Sequence, residues 1–115
     1  GAIAPGPGTL AEGLTRAGAR LPDFTLKQDA PALGRSTEEA LQSGVVVGFR
    51  GAVEALSRSI AEEAFGGTTG VEGFVTGGAR SLALEGVAAG LGRRPTEVEL
   101  LVHLGLAAAA QPYSS

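Results

Sequence analysis

A helix-rich α/β fold with a small sheet is predicted for this 115-residue chain, and three stretches predict it. From about Thr37 to Ala64, apolar residues recur at spacings of three and four behind a helix-start signal, the mark of a long amphipathic helix. VEGFVTGG at 71–78 has Val71, Phe74 and Val75 running into paired glycines, which reads as a strand ending in a turn. Helical patterns follow from about Ala79 to Leu91 and again after Pro95, so the order of elements predicts a layer of helices on a small sheet.

The elements are justified in chain order. GAIAPGPG is a short apolar run broken at Pro5 and Gly6, as at the end of a strand. Thr9 and Glu12 have capping-box spacing, and Leu10, Leu14, Ala17 and Leu21 follow at helical intervals until Pro22 ends the helix. Phe24 and Leu26 alternate with polar residues, as in a short edge strand or an extended segment, and KQDAPALG is loop-like. Ser36 and Glu39 then form a second capping box. In the long helix, Val46, Phe49, Val53, Leu56 and Ile60 make the apolar stripe, while Arg50, Glu54 and Arg58 lie four apart on a solvated face. Gly44, Gly48, Gly51 and Ala55 make a third line, of small residues. It predicts close packing on a neighbour, either in this chain or in a partner. GGTTG at 66–70 is a turn. The 79–91 helix turns Leu82, Val87 and Leu91 inward. Pro95, Thr96 and Glu99 are start signals for a terminal helix, and PYSS is a frayed tail.

Composition excludes several classes of function. The length suits a single domain. A net charge of −3 without a basic cluster argues against nucleic acid and against a polybasic membrane patch. No apolar run reaches the length of a membrane span, the N-terminus lacks the charged start of a signal peptide, and a cytoplasmic protein is expected. Without cysteine there is no thiolate nucleophile and no zinc–sulfur site. The single histidine, His103 in LLVHLGL, sits in an apolar helical context and reads as a packed residue, so neither a triad nor a histidine metal site is expected. Glu38, Glu39, Glu54, Glu62 and Glu63 fall on helical surfaces, and no carboxylate pair suggests acid–base catalysis. The absence of methionine and the opening on GAIAPGPG suggest a fragment, or one subunit of something larger.

Two stretches have the backbone chemistry for phosphate. In FVTGGAR a strand passes through Thr76, Gly77 and Gly78 into a helix start, where free N–H groups attract an anion. In AIAPGPG, Gly6 and Gly8 flank a rigid proline before another helix. An ordinary turn accounts for either stretch taken alone. Neither is a P-loop, since no GK[ST] follows, and neither is a GxGxxG fingerprint.

Taken in order, GAIAPG, a helix ending in LP, GRST-EEALQSG, VVVGFRGAVEALSRSIAEE, VTGG and LLVHLGL resemble the C-terminal half of the type III pantothenate kinases. The resemblance spans nearly the whole chain, and GRST-EEALQSG with the following GFRGAVEAL is its most specific block. It implies a ribonuclease-H-like lobe of the acetate and sugar kinase, Hsp70 and actin superfamily, with residues 1–115 as a single C-terminal lobe. It implies a kinase that transfers the γ-phosphoryl of ATP to pantothenate in the first step of coenzyme A synthesis, with Mg2+ and a monovalent cation (K+ or NH4+). Thr37 maps onto the family's pantothenate contact near a dimer interface, so dimerisation through the 44–60 helix is expected. Thr76, Gly77 and Gly78 map onto the nucleotide site, with Pro5 and Gly6 near the same cleft. The family's catalytic aspartate, cation-binding aspartate and first phosphate loop belong to the N-terminal half, so no catalytic residue and no metal ligand is expected here. The chain is then expected to be inactive without an N-terminal lobe. The alternative is a regulatory or assembly subunit of the same fold that has lost catalysis.

Overall fold

A computed structural model describes residues 1–18 and 26–99. Its elements are α1 (Pro7–Arg16), α2 (Thr37–Phe65), β1 (Phe74–Val75), α3 (Arg80–Leu91) and β2 (Thr96–Glu97). The described residues therefore make a helix-rich α/β chain with a small parallel sheet, in which Phe74 lies opposite Thr96 and Val75 opposite Glu97. The last three elements form one strand–helix–strand unit laid against α2.

The start of α2 follows its sequence signal. Ser36 accepts the Glu39 N–H at 3.1 Å, and the Glu39 carboxylate accepts the Arg35 N–H at 2.7 Å. The return bond goes one residue further upstream than in the usual box, which still leaves two donors satisfied. Gly66, in the left-handed conformation, stops the helix. The core lies along one side of α2, where Val45 and Val46 are wholly buried, joined by Ala61, Val75 and Leu91.

Close packing of α2 on α3 is made by glycines of α3, not by the small-residue line of α2. Gly86 and Gly90 of α3 lie against the α2 backbone: a Cβ on Gly86 would stand 2.7 Å from the Arg50 carbonyl oxygen, and one on Gly90 2.5 Å from that of Glu54. Among the described residues a Cβ on Gly44, Gly48 or Gly51 would meet nothing within 4 Å. Charge pairing differs as well. Arg58 pairs with Glu54 along the helix at 3.1 Å, but Arg50 reaches across to Glu85 of α3 at 2.6 Å.

Further expectations are corrected. Residues 1–6 hold no strand. Helix α1 begins at Pro7 with Gly6 as its cap and no side-chain cap bond, so Thr9 and Glu12 are interior. Proline preset for the first helical position outranks a capping-box spacing two residues later. Thr96, expected to open a helix, lies in β2, because the Thr96 N–H reaches the Gly73 carbonyl at 2.9 Å and the Val98 N–H that of Val75 at 2.8 Å. An available strand edge decides the backbone there. The strand expected over 71–78 is confined to Phe74–Val75, and of the two alternatives for Leu26, an edge strand or an extended segment, the strand is not formed at that residue. Helix α1 ends at Arg16, with Ala17 as its cap and Gly18 at φ +98°, short of the expected end at Leu21–Pro22. The Phe24 position, the body of the terminal helix and His103 lie outside the described residues.

Candidate functional site

The best-formed polar feature surrounds the N-terminus of α2. Gly34 lets the incoming chain cross directly over the first turn, because a Cβ there would collide with the Ala40 amide. With Ser36 and Glu39 occupied by capping, Thr37 is the first helical residue, exposed, and its hydroxyl has no hydrogen-bond partner among the described residues. Beside it lies a polar cleft of about 240 Å³ bounded by Lys27, Pro31, Ser36, Glu38 and Gln42. Gln42 is 4% exposed, and its side-chain oxygen accepts the Lys27 N–H at 2.8 Å. That bond ties the preceding loop to the helix. Nothing in the sequence singles out Gln42, which Ser43 and Gly44 separate from the apolar run Val45–Val47.

A second feature is the β1–α3 turn. Thr76 is half-buried, Gly77 and Gly78 are exposed, and Gly77 has φ +94°, a conformation that favours glycine. The cap position of α3, Ala79, offers no side-chain acceptor, and within the turn the Gly77 carbonyl accepts the Arg80 N–H at 3.3 Å. At the third feature, Pro5 is exposed, and Gly6 is extended with its carbonyl accepting the Leu10 N–H at 3.0 Å. The three groups singled out in the sequence thus sit at the N-terminal ends of three different helices. No hydrogen bond among the described residues joins one group to another.

An apolar groove of about 410 Å³ runs between the C-terminal half of α2 and β1, lined by Leu56, Ile60, Phe65, Val71, Phe74 and Leu91. Phe65 and Phe74 are mostly exposed along it, at 72% and 59%. Ile60, expected to be inward, opens into it. The described residues contain no group of three His, Asp or Glu side chains placed to hold a metal ion. No helix among the described residues is long and apolar enough to cross a membrane.

A capped, hydroxyl-bearing helix start and a glycine turn on a strand–helix–strand unit are elements found in phosphate-handling α/β proteins. Comparison with known proteins makes the class specific. Residues 1–59 match the family described as type III pantothenate kinase. The type III pantothenate kinase of Thermus thermophilus is 45% identical over 64 residues, which cover 56% of this chain and 25% of that protein. That of Gluconobacter oxydans is 40% identical over 86 residues, covering 75% of this chain and 31% of the relative, and that of Dehalococcoides mccartyi (strain ATCC BAA-2100) is 42% identical over 86 residues, covering 75% and 32%. No solved structure matches. The chain belongs to the type III pantothenate kinase family. It spans less than a third of the length of these relatives.

Proposed function

We propose that residues 1–115 form a C-terminal, ribonuclease-H-like lobe of a pantothenate kinase, which works with an N-terminal lobe to move the γ-phosphoryl of ATP onto pantothenate. The observation that carries this reading is the exposed Thr37 hydroxyl at the head of α2. Capping there is complete without it, so its side chain is free for a substrate. The first-turn amides add a favourable field for the carboxylate of pantothenate. Phosphoryl transfer needs positioning and charge neutralisation more than covalent chemistry. In this reading Thr76, Gly77 and Gly78 present backbone groups to the nucleotide, with Pro5 and Gly6 near the same cleft. The catalytic base and the ligands for Mg2+ and the monovalent cation come from the N-terminal lobe.

Two features of the fold support a missing lobe. A two-stranded parallel sheet is not stable alone, since parallel sheets normally have further strands and both faces covered. The apolar groove beside β1 is open, and the relatives carry more than twice the matched length. Dimerisation through the 44–60 helix belongs to the same proposal and is supported by the open face at Gly44, Gly48 and Gly51. That face also favours the second reading, a regulatory or assembly subunit.

Thr37→Val in a kinase reconstituted with a family N-terminal lobe tests the choice. The substrate reading expects the KM for pantothenate to rise about tenfold, the loss of one hydrogen bond in a dry site, with the KM for ATP unchanged. Unchanged pantothenate kinetics would refute the Thr37 contact. If Gly48→Leu then dissolves the assembly, the assembly reading takes its place.

A further inference from the structure

Arg80 is the first residue of α3, directly after the glycine turn, and its guanidinium is in contact with both sides of that turn. Nη1 donates to the Gly77 carbonyl at 2.9 Å. Nε lies 2.9 Å from Glu97 Oε1 of β2, and Nη2 lies 3.8 Å from Glu99 Oε1. The buried Nε–H points off the line to Glu97, so that contact is an ion pair and not a linear hydrogen bond. The Gly77 carbonyl also accepts the Arg80 backbone N–H at 3.3 Å. One carbonyl is thus held twice by one residue, and that residue is anchored to the strand that pairs with β1.

We infer that Arg80 is a positioning residue that locks the peptide plane between Gly77 and Gly78. In a trans peptide the C=O and N–H point in opposite directions. Holding the Gly77 oxygen on the Arg80 side therefore turns the Gly78 N–H to the opposite face. Two successive glycines offer almost no steric resistance to a flip of the plane between them. A flip would set a carbonyl oxygen where an anion should meet an N–H. The guanidinium prevents it, and Glu97 and Glu99 hold the guanidinium in place. Its positive charge is already paired, so its effect on a nucleotide is exerted through the geometry of the turn. The ligand class is a nucleoside triphosphate, and this inference rests on the proposed role of Thr76–Gly78 in nucleotide binding.

The test uses the protein in its native assembly, labelled with 15N-glycine, as wild type, Arg80→Ala and Arg80→Lys, with MgATP as the probe. In Arg80→Ala the amides of Gly77 and Gly78 acquire microsecond–millisecond exchange broadening that wild type lacks, while Gly34 and Gly48 are unchanged. The MgATP concentration that half-shifts the Gly78 amide rises about tenfold, and KM for ATP rises with it while kcat is nearly unchanged. Arg80→Lys keeps the charge but not the fork, and restores only part of the loss. Arg80→Ala with wild-type relaxation at Gly77 and Gly78 overturns the lock. New exchange with an unchanged MgATP response overturns its role in binding. A wild-type Gly78 amide indifferent to MgATP overturns the nucleotide reading itself, and is recognised separately because the exchange comparison needs no ligand.

Discussion

Gly90→Ala and Gly48→Ala place one methyl group on the last turn of α3 and on an interior turn of α2, where the fold predicts opposite outcomes. At Gly90 the new Cβ would stand 2.5 Å from the Glu54 carbonyl oxygen and 2.9 Å from Ser57 Cβ. Both are well inside the roughly 3.5 Å optimum for non-bonded carbon contacts. The obstacle is backbone, so no rotamer change relieves it and α3 must move off α2. Overpacking of this kind costs about 1–3 kcal/mol, and an obstacle made of main chain belongs at the upper end. Replacing helical glycine with alanine returns about 1 kcal/mol, so Gly90→Ala should be less stable by about 2 kcal/mol. At Gly48 nothing lies within 4 Å, and only the propensity gain of about 1 kcal/mol is left. Urea unfolding of the dilute chain, followed by far-ultraviolet circular dichroism, measures both. With a slope of about 2 kcal/mol per molar, the two midpoints should separate by roughly 1.5 M, on either side of wild type. A Gly90→Ala midpoint at or above wild type would refute the account of the α2–α3 contact.

Capping and substrate roles at the head of α2 separate by mutation. Ser36→Ala should cost about 1 kcal/mol of stability in the same unfolding assay, whereas Thr37→Val, at an exposed position, should stay within about 0.5 kcal/mol. Equal losses would mean that Thr37 is part of the cap. Gln42→Leu removes the acceptor of the Lys27 N–H and should destabilise by about 1–3 kcal/mol. The Lys27 amide should then exchange with solvent faster while the Val46 amide does not, and equal acceleration of both would indicate global unfolding instead.

Long-range partners divide what the sequence disclosed from what it hid. The α2 boundaries were legible because Ser36, Glu39 and Gly66 act on the backbone within a few residues. Strand β1 and helix α3 were legible for the same reason, since Phe74–Val75 run straight into paired glycines. Thr96 was misread because its helix-start chemistry is local, while its conformation is set by the Gly73 carbonyl, far away in sequence. The sequence left open which neighbour the small-residue line of α2 meets, and the close approach to α3 is made by Gly86 and Gly90 instead. Gly44, Gly48, Gly51 and the pair Gly86, Gly90 all have spacings that permit close approach, and spacing does not say which helix presents its small side. Of the candidate site, the Thr37 position and the Gly77 turn were visible as motifs. Gln42 and Arg80 were not, because their significance depends on what they touch across the fold.

The glycines left over on α2 argue for a neighbour beyond the described residues, and the proposed dimer supplies one. Gly44, Gly48 and Gly51 are exposed and interior to a 29-residue helix, and each costs that helix about 1 kcal/mol relative to alanine. Among the described residues nothing is gained in return, since the close approach to α3 is made by Gly86 and Gly90. A flat, side-chain-free strip allows a second backbone to approach closely, as Gly86 and Gly90 allow here. The propensity gain expected for Gly48→Ala in the dilute chain should therefore be reversed in the assembled protein, where the methyl would stand in the interface. The same substitution would raise the urea midpoint of the dissociated chain and weaken self-association in sedimentation equilibrium. A midpoint that rises with no change in association would mean that the strip faces water in the assembly as well, and the proposed dimer would have to form on another surface.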